Sequence, residues 1–302
     1  MPHLTGKNTG LADDMEIRLL APDDLESAHA LSSTIGWNQR LDDWRMLTSL
    51  APGGSFAAVD TGRIVGTAIG IDYTAFGWVA MMLVDPAYRG RGLGARLLEA
   101  ALTALPPGLP VRLDATPLGR PLYERYGFVP ETTLTRHLRA GGQTWTRSGS
   151  DPDPGRASPV PALGQTSVSG GAAPWAGPGL TPNHPRQRLL QWMHANAPEY
   201  AFALGDGPQY CLGRHGRLFD QLGPVVADTA DAAAALAGAA LSNTRGAVIV
   251  DAYDSHEPFT AWLRSAGFEP QRPLYRMCRG ASLPPAHANG PIEFAIVGPE
   301  FG

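Results

Sequence analysis

The residues best equipped for chemistry lie in one stretch, Val84-Asp85-Pro86-Ala87-Tyr88-Arg89-Gly90-Arg91-Gly92-Leu93-Gly94-Ala95-Arg96-Leu97-Leu98. An apolar run ends there, a Gly-rich turn follows, and from Leu93 the apolar positions recur at helical spacing. The first amides of a helix have no acceptor within it, and about half a positive charge collects at that end. Such a turn suits an anion, above all a phosphate group. Glycines let the backbone approach the ligand closely, and Arg89 and Arg91 add charge-assisted donors. A plain connector does not need three glycines and two arginines in the six positions 89–94. A nucleotide-triphosphate loop needs Gly-Lys, and the only lysine in the chain is Lys7. A dinucleotide fingerprint fits loosely as Gly90-x-Gly92-x-x-Ala95, with Asp114 following on the next apolar run. Against it, Asp85–Arg89 separate the strand from the first glycine, and the turn follows an antiparallel meander.

Spelled as Arg89-x-x-Gly92-x-Gly94, the turn resembles the acetyl-CoA motif of the GNAT N-acetyltransferase superfamily. Downstream, Leu122-Tyr123-Glu124-Arg125-Tyr126-Gly127-Phe128 resembles that superfamily's second recurring block, in the same order and at the same separation. The resemblance implies that the backbone of Met82, Leu83 and Val84 pairs with a pantetheine arm like an added strand. It implies that the amides of Arg89, Gly90, Arg91, Gly92, Leu93, Gly94 and Ala95 hold a pyrophosphate. Tyr123 becomes the general acid for the departing thiolate. Trp37 and Asn38 fall where the superfamily lines its acceptor pocket. Two departures matter. Thr116 stands where Asn is frequent, and Trp78–Met82 carry no Glu to act as base. Asp114 and Asp72 are weak substitutes, each also readable as a solvated strand-end carboxylate, and a chain of waters is the third option.

The elements that must position these groups read as a mixed α/β layer fold. A short strand at Met15–Leu20 leads to two helices, carrying Leu25, Ala28 and Leu31, then Trp44, Leu47 and Leu50. The runs 55–59, 64–71 and 78–84, broken by turn residues, predict a meander. The spacing of Leu93, Leu97, Leu98, Ala101 and Leu102 predicts a helix over 92–105. A strand at 111–114, a short helix at 121–126 and a strand at 134–138 complete the set.

The second half echoes the first. Val111-Arg112-Leu113-Asp114-Ala115 matches Val248-Ile249-Val250-Asp251-Ala252, and Gly127-Phe128-x-Pro130 matches Gly267-Phe268-x-Pro270. In both, Leu (134, 274) and Arg (136, 276) follow at the same steps, so two copies of one fold are expected. The expected organisation is a flexible 1–14, a GNAT-type domain at 15–140, a Gly/Pro-rich linker at 141–185 and a degenerate second domain at 186–302, packed on the first as a pseudo-dimer. In the second copy the position of Arg91 maps to Asp228, in Ala227-Asp228-Thr229-Ala230-Asp231, where two carboxylates repel a pyrophosphate and Tyr123 has no clear counterpart.

A net charge of −4 gives nothing to condense on nucleic acid, and no stretch is apolar enough to span a membrane. Cys211 and Cys278 read as buried thiols, the eight histidines show no metal-ligand spacing, and no leader is visible, so a cytoplasmic, metal-free protein is expected. The leading expectation is an N-acetyltransferase carrying acetyl from acetyl-CoA to a primary amine of a small molecule or peptide. A non-catalytic acyl-CoA-binding protein is the alternative, and an NAD(P)-dependent oxidoreductase the third.

Overall fold

The computed structural model describes residues 15–142, 145–146, 152–153, 157–160, 173–175, 181, 183–205, 207–281 and 291–302. The expected flexible 1–14 lies outside them. The chain forms two compact units, one from residues up to 72 and from 79–107, the other from 73–78 and 108–302. Among the described residues no helix is long and apolar enough to cross a membrane.

In the first unit, β1 (Glu16–Leu19) pairs antiparallel with β2 (Ser55–Asp60), which pairs antiparallel with β3 (Arg63–Asp72). Thr61 and Gly62, both at positive φ, make the two-residue turn that the sequence Asp-Thr-Gly predicts. Helices α1 (Leu25–Thr34) and α2 (Leu41–Leu50) bury Leu31, Trp44, Leu47 and Leu50. Strand β4 (Gly77–Val84) comes next to β3 in the strand order, and α3 (Leu93–Thr103) follows it in the chain. Leu93, Leu97 and Ala101 of α3 pack on Ala58, Val65 and Ala68, so the helical stripe read from the sequence is the face laid on the sheet.

In the second unit, Gly77 and Trp78 pair parallel with Val111 and Arg112 of β5 (Val111–Ala115). The chain continues through α4 (Arg120–Arg125), β6 (Val129–Arg139), β7 (Ala157–Pro159), α5 (Pro185–Asn196), β8 (Phe202–Leu204), β9 (Tyr210–Arg214) and β10 (Asp220–Ala227). It closes with α6 (Ala230–Leu241), β11 (Val248–Tyr253), α7 (Glu257–Ser265), β12 (Glu269–Arg279) and β13 (Ile292–Ala295). From β5 the strand order is β5-β12-β6-β11-β13-β10-β9-β8-β7.

That order departs from a simple tandem. The second repeat's counterpart of β6, β12, lies beside β5 of the first, while β6 of the first lies beside β11 of the second. The compact units therefore do not follow the repeat boundaries. Leu134 and Leu274 are register partners at the β6–β12 pair, and both are fully buried. Part of the segment read as a linker is structured: β7 extends the sheet edge antiparallel to β8, and Trp175 is buried with its ring 5.1 Å from His194 and 6.0 Å from Tyr210. A buried aromatic and an edge-strand ladder offset the ordering entropy that Gly and Pro could not.

Candidate functional site

Two features shape the turn before α3. Asp85 accepts from the Ala87 amide at 2.9 Å and from Arg63 Nη2 at 2.6 Å, which caps the one-turn helix 86–88 and ties it to β3. Tyr88 donates its hydroxyl to Asp60 at 2.6 Å, fixing the same turn to β2. Neither tie was legible beforehand, although Asp-Pro is a turn signal that could have suggested the first.

Gly90 and Gly92 then take left-handed φ of +76° and +78°, which an ordinary residue adopts only with strain. A Cβ at either would meet nothing within 4 Å, so backbone conformation, and not crowding, selects glycine there. Gly92 is the N-cap of α3, and no side chain caps that end. The first amide to close back is Ala95, onto the Gly92 carbonyl at 3.0 Å. The donors of the first turn are thus left for an outside acceptor. Arg89 and Arg91 are exposed; Arg89 Nε donates to the Val84 carbonyl and Arg91 Nη2 to the Ala87 carbonyl, each leaving further donors.

In β4, Met81 sits at φ +51°, an irregularity for a non-glycine residue inside a strand, and its carbonyl accepts from the buried Thr67 hydroxyl at 2.7 Å. Met82, Leu83 and Val84 follow directly. Trp37 is half-buried and Asn38 buried in the loop between α1 and α2, and Asp72 closes β3, half-buried.

The other residues singled out from the sequence belong to the second unit. Tyr123 on α4 is 8% exposed, and its ring lies 6.0 Å from that of Phe128. Burial pushes the phenol well above its ordinary value, so it stays protonated through the neutral range. Thr116, at the frequent Asn position, uses its carbonyl and hydroxyl to receive the Gly119 amide, shaping the turn into α4.

Asp114 is different in kind from a general base. Its two oxygens receive Arg276 Nε at 2.9 Å and Nη2 at 2.8 Å, and its side chain is fully buried. Burial works to raise this carboxyl and the guanidinium opposes it, while Asp114 and its neighbours hold Arg276 firmly charged. Arg136 grips Asp251 in the same bidentate way at 2.7 and 2.7 Å. These are the four residues whose repetition marked the two copies.

In the second copy, Thr229 caps the N-terminus of α6, its hydroxyl accepting from the Ala232 amide at 3.2 Å. The bond from Phe268 N to Leu263 O repeats that from Phe128 N to Tyr123 O, so Leu263 occupies the Tyr123 position, for which no clear counterpart was expected.

Two family profiles, each described as an Acetyltransferase (GNAT) domain, match residues 52–130 and 183–290, together more than half of the chain. The uncharacterized N-acetyltransferase YitH of Bacillus subtilis is 32% identical over 69 residues, a match spanning 23% of this chain and 24% of YitH. A Pyrococcus horikoshii protein assigned to the acetyltransferases has the same fold over 99% of this chain and 100% of its own, at a TM-score of 0.72 and 18% identity. A GCN5-related N-acetyltransferase from Sphaerobacter thermophilus covers 90% of this chain and 98% of its own, at 0.59 and 17%. With an uncapped glycine turn where the first profile lies and a second profile over the echoing half, the chain belongs to the GNAT acetyltransferases, carrying two such domains in tandem.

Proposed function

We propose that the protein is an N-acetyltransferase that moves an acetyl group from acetyl-CoA to a primary amine, with one working site, in the first copy. The observation that carries this reading is the α3 N-terminus: a glycine cap, no side-chain acceptor, open space at Gly90 and Gly92, and two exposed arginines. These groups fit a pyrophosphate, which brings acceptors and negative charge to donors that lack partners. Residues 82–84 would hold the pantetheine amides by strand addition.

In the reaction the amine nitrogen attacks the thioester carbonyl carbon, the carbon–sulfur bond breaks, and the departing thiolate takes a proton from Tyr123. Holding the two reactants side by side supplies most of the acceleration. Asp114 is spent on Arg276, so the amine loses its proton to water or toward Asp72. Trp37 and Asn38 are the proposed acceptor-loop residues, and the reciprocal strands β6 and β12 support reading the two copies as an internal pseudo-dimer. An internal protein with no membrane or nucleic-acid partner is the setting we propose.

The test is release of free thiol from acetyl-CoA by purified protein across a broad panel of amines, beside calorimetry with coenzyme A. Turnover with at least one amine class supports the proposal. Tight binding without turnover favours the acyl-CoA-binding alternative, and absence of binding sinks both.

A further inference from the structure

Strands β10 and β11 are the second copy's counterparts of β4 and β5. They run parallel and pair through two residues, Asp220 with Val248 and Gln221 with Ile249, just as Gly77 and Trp78 pair with Val111 and Arg112. Beyond that start, β10 shifts register between Leu222 and Val225 and no longer pairs with β11. Two parallel strands that diverge inside a domain leave backbone donors and acceptors facing a gap, and buried backbone groups need partners.

The chain supplies those partners itself. β13 enters between the two strands: Ala295 is the register partner of Val225 on β10 and of Ala252 on β11. Glu293 and Ile292 continue the ladder along β10, and the Ile296 amide donates to the Asp251 carbonyl at 3.0 Å. A Cβ on Gly223 would lie 2.0 Å from the Ile296 carbonyl oxygen, so β10 accepts this segment only because residue 223 has no side chain. Phe294 is buried in the core with Phe259, and Ile296 packs on Leu134 and Leu274. Further on, the buried Glu300 carboxylate accepts from Arg214, which also donates to Gln221 at 2.8 Å.

We infer that Ile292–Ile296 is a resident occupant of the second copy's strand gap, a peptide standing where a pantetheine arm would otherwise add as a strand. The N-terminal end of α6 is closed as well, by the Thr229 hydroxyl at its cap, with Asp228 just before it and Asp231 in its first turn. The second copy is thereby a scaffold completed by its own backbone, and one chain takes one coenzyme A. The pantetheine comparison rests on the coenzyme reading proposed above, whereas the filling of the gap rests on the strand register alone.

The experiment uses the full chain with Ala252→Cys and Ala295→Cys, and coenzyme A as the probe. The expected result is a 252–295 disulfide found by peptide mapping, one coenzyme A per chain by native mass spectrometry, and affinity within about twofold of the unlocked protein. In wild-type protein, hydrogen exchange across 292–297 should be as slow as in β10 and β11 and unchanged by saturating coenzyme A. A folded double variant without the disulfide, fast exchange across 292–297, or a second coenzyme A that the locked chain refuses would each overturn the inference. If the double variant does not fold, wild-type exchange decides alone. If coenzyme A binds nowhere, the proposed function fails, while the disulfide and the slow exchange still report on the strand.

Discussion

The ends of α3 and α6 are the same place in two copies of one fold, and they have been finished in opposite ways. At α3 the cap is a left-handed glycine and no side chain satisfies the first-turn amides. At α6 the Thr229 hydroxyl takes one of those amides and Asp231 complements the positive end of the helix from within. An N-terminus that satisfies itself gains stability and loses its appetite for an anion. The pair teaches that one fold can finish the same helix end in two ways, and that the capping chemistry decides which end leaves donors for an outside acceptor.

What the copies share should respond alike, and what they do not share should respond separately. The largest effect is expected from the shared ion pairs. Arg136→Met and Arg276→Met each leave a buried carboxylate without its partner and should each cost about 3–5 kcal/mol in denaturant unfolding. A loss confined to one of them would break the equivalence. Next comes Tyr123→Phe, expected to lower kcat by about 10²-fold or more with coenzyme A affinity kept, since it removes only the proposed proton donor. Leu263→Ala, at the matching position, should cost stability and leave kcat per folded molecule unchanged. Gly92→Val should weaken coenzyme A binding about a hundredfold by calorimetry, because a branched residue strains the left-handed cap while the space around it stays open. Smallest is Thr229→Ala, expected to cost about 1 kcal/mol in stability with no change in coenzyme A affinity.

Much of the local structure was legible in the sequence. The meander, the 93–103 helix and the turn at Thr61-Gly62 follow from periodicity and turn chemistry, which act over a few residues. The repeated Asp and Arg residues showed that two copies exist. They did not show that each Arg reaches into the other copy, because a strand's alternation names its buried face and not its neighbour. For the same reason Asp114 read as a base candidate: its partner stands 162 residues away. Strand β13 is short and follows a stretch without clear pattern, so nothing local announced that it would lie between β10 and β11. The irregularity at Met81 also left no mark, since nothing in Ala-Met-Met calls for a positive φ.

The reciprocal placement of β6 and β12 bears on synthesis. Because β5 borders a strand from the far end of the chain, the first repeat emerges from the ribosome with an unsealed edge and waits until nearly all of its partner has been made. Neither repeat, expressed as a separate fragment, would hold a complete set of strands, and two such fragments mixed together should do better than either alone. Pairings this distant also slow folding and prolong exposure of an adhesive border, so the molecule matures as a whole and not half by half.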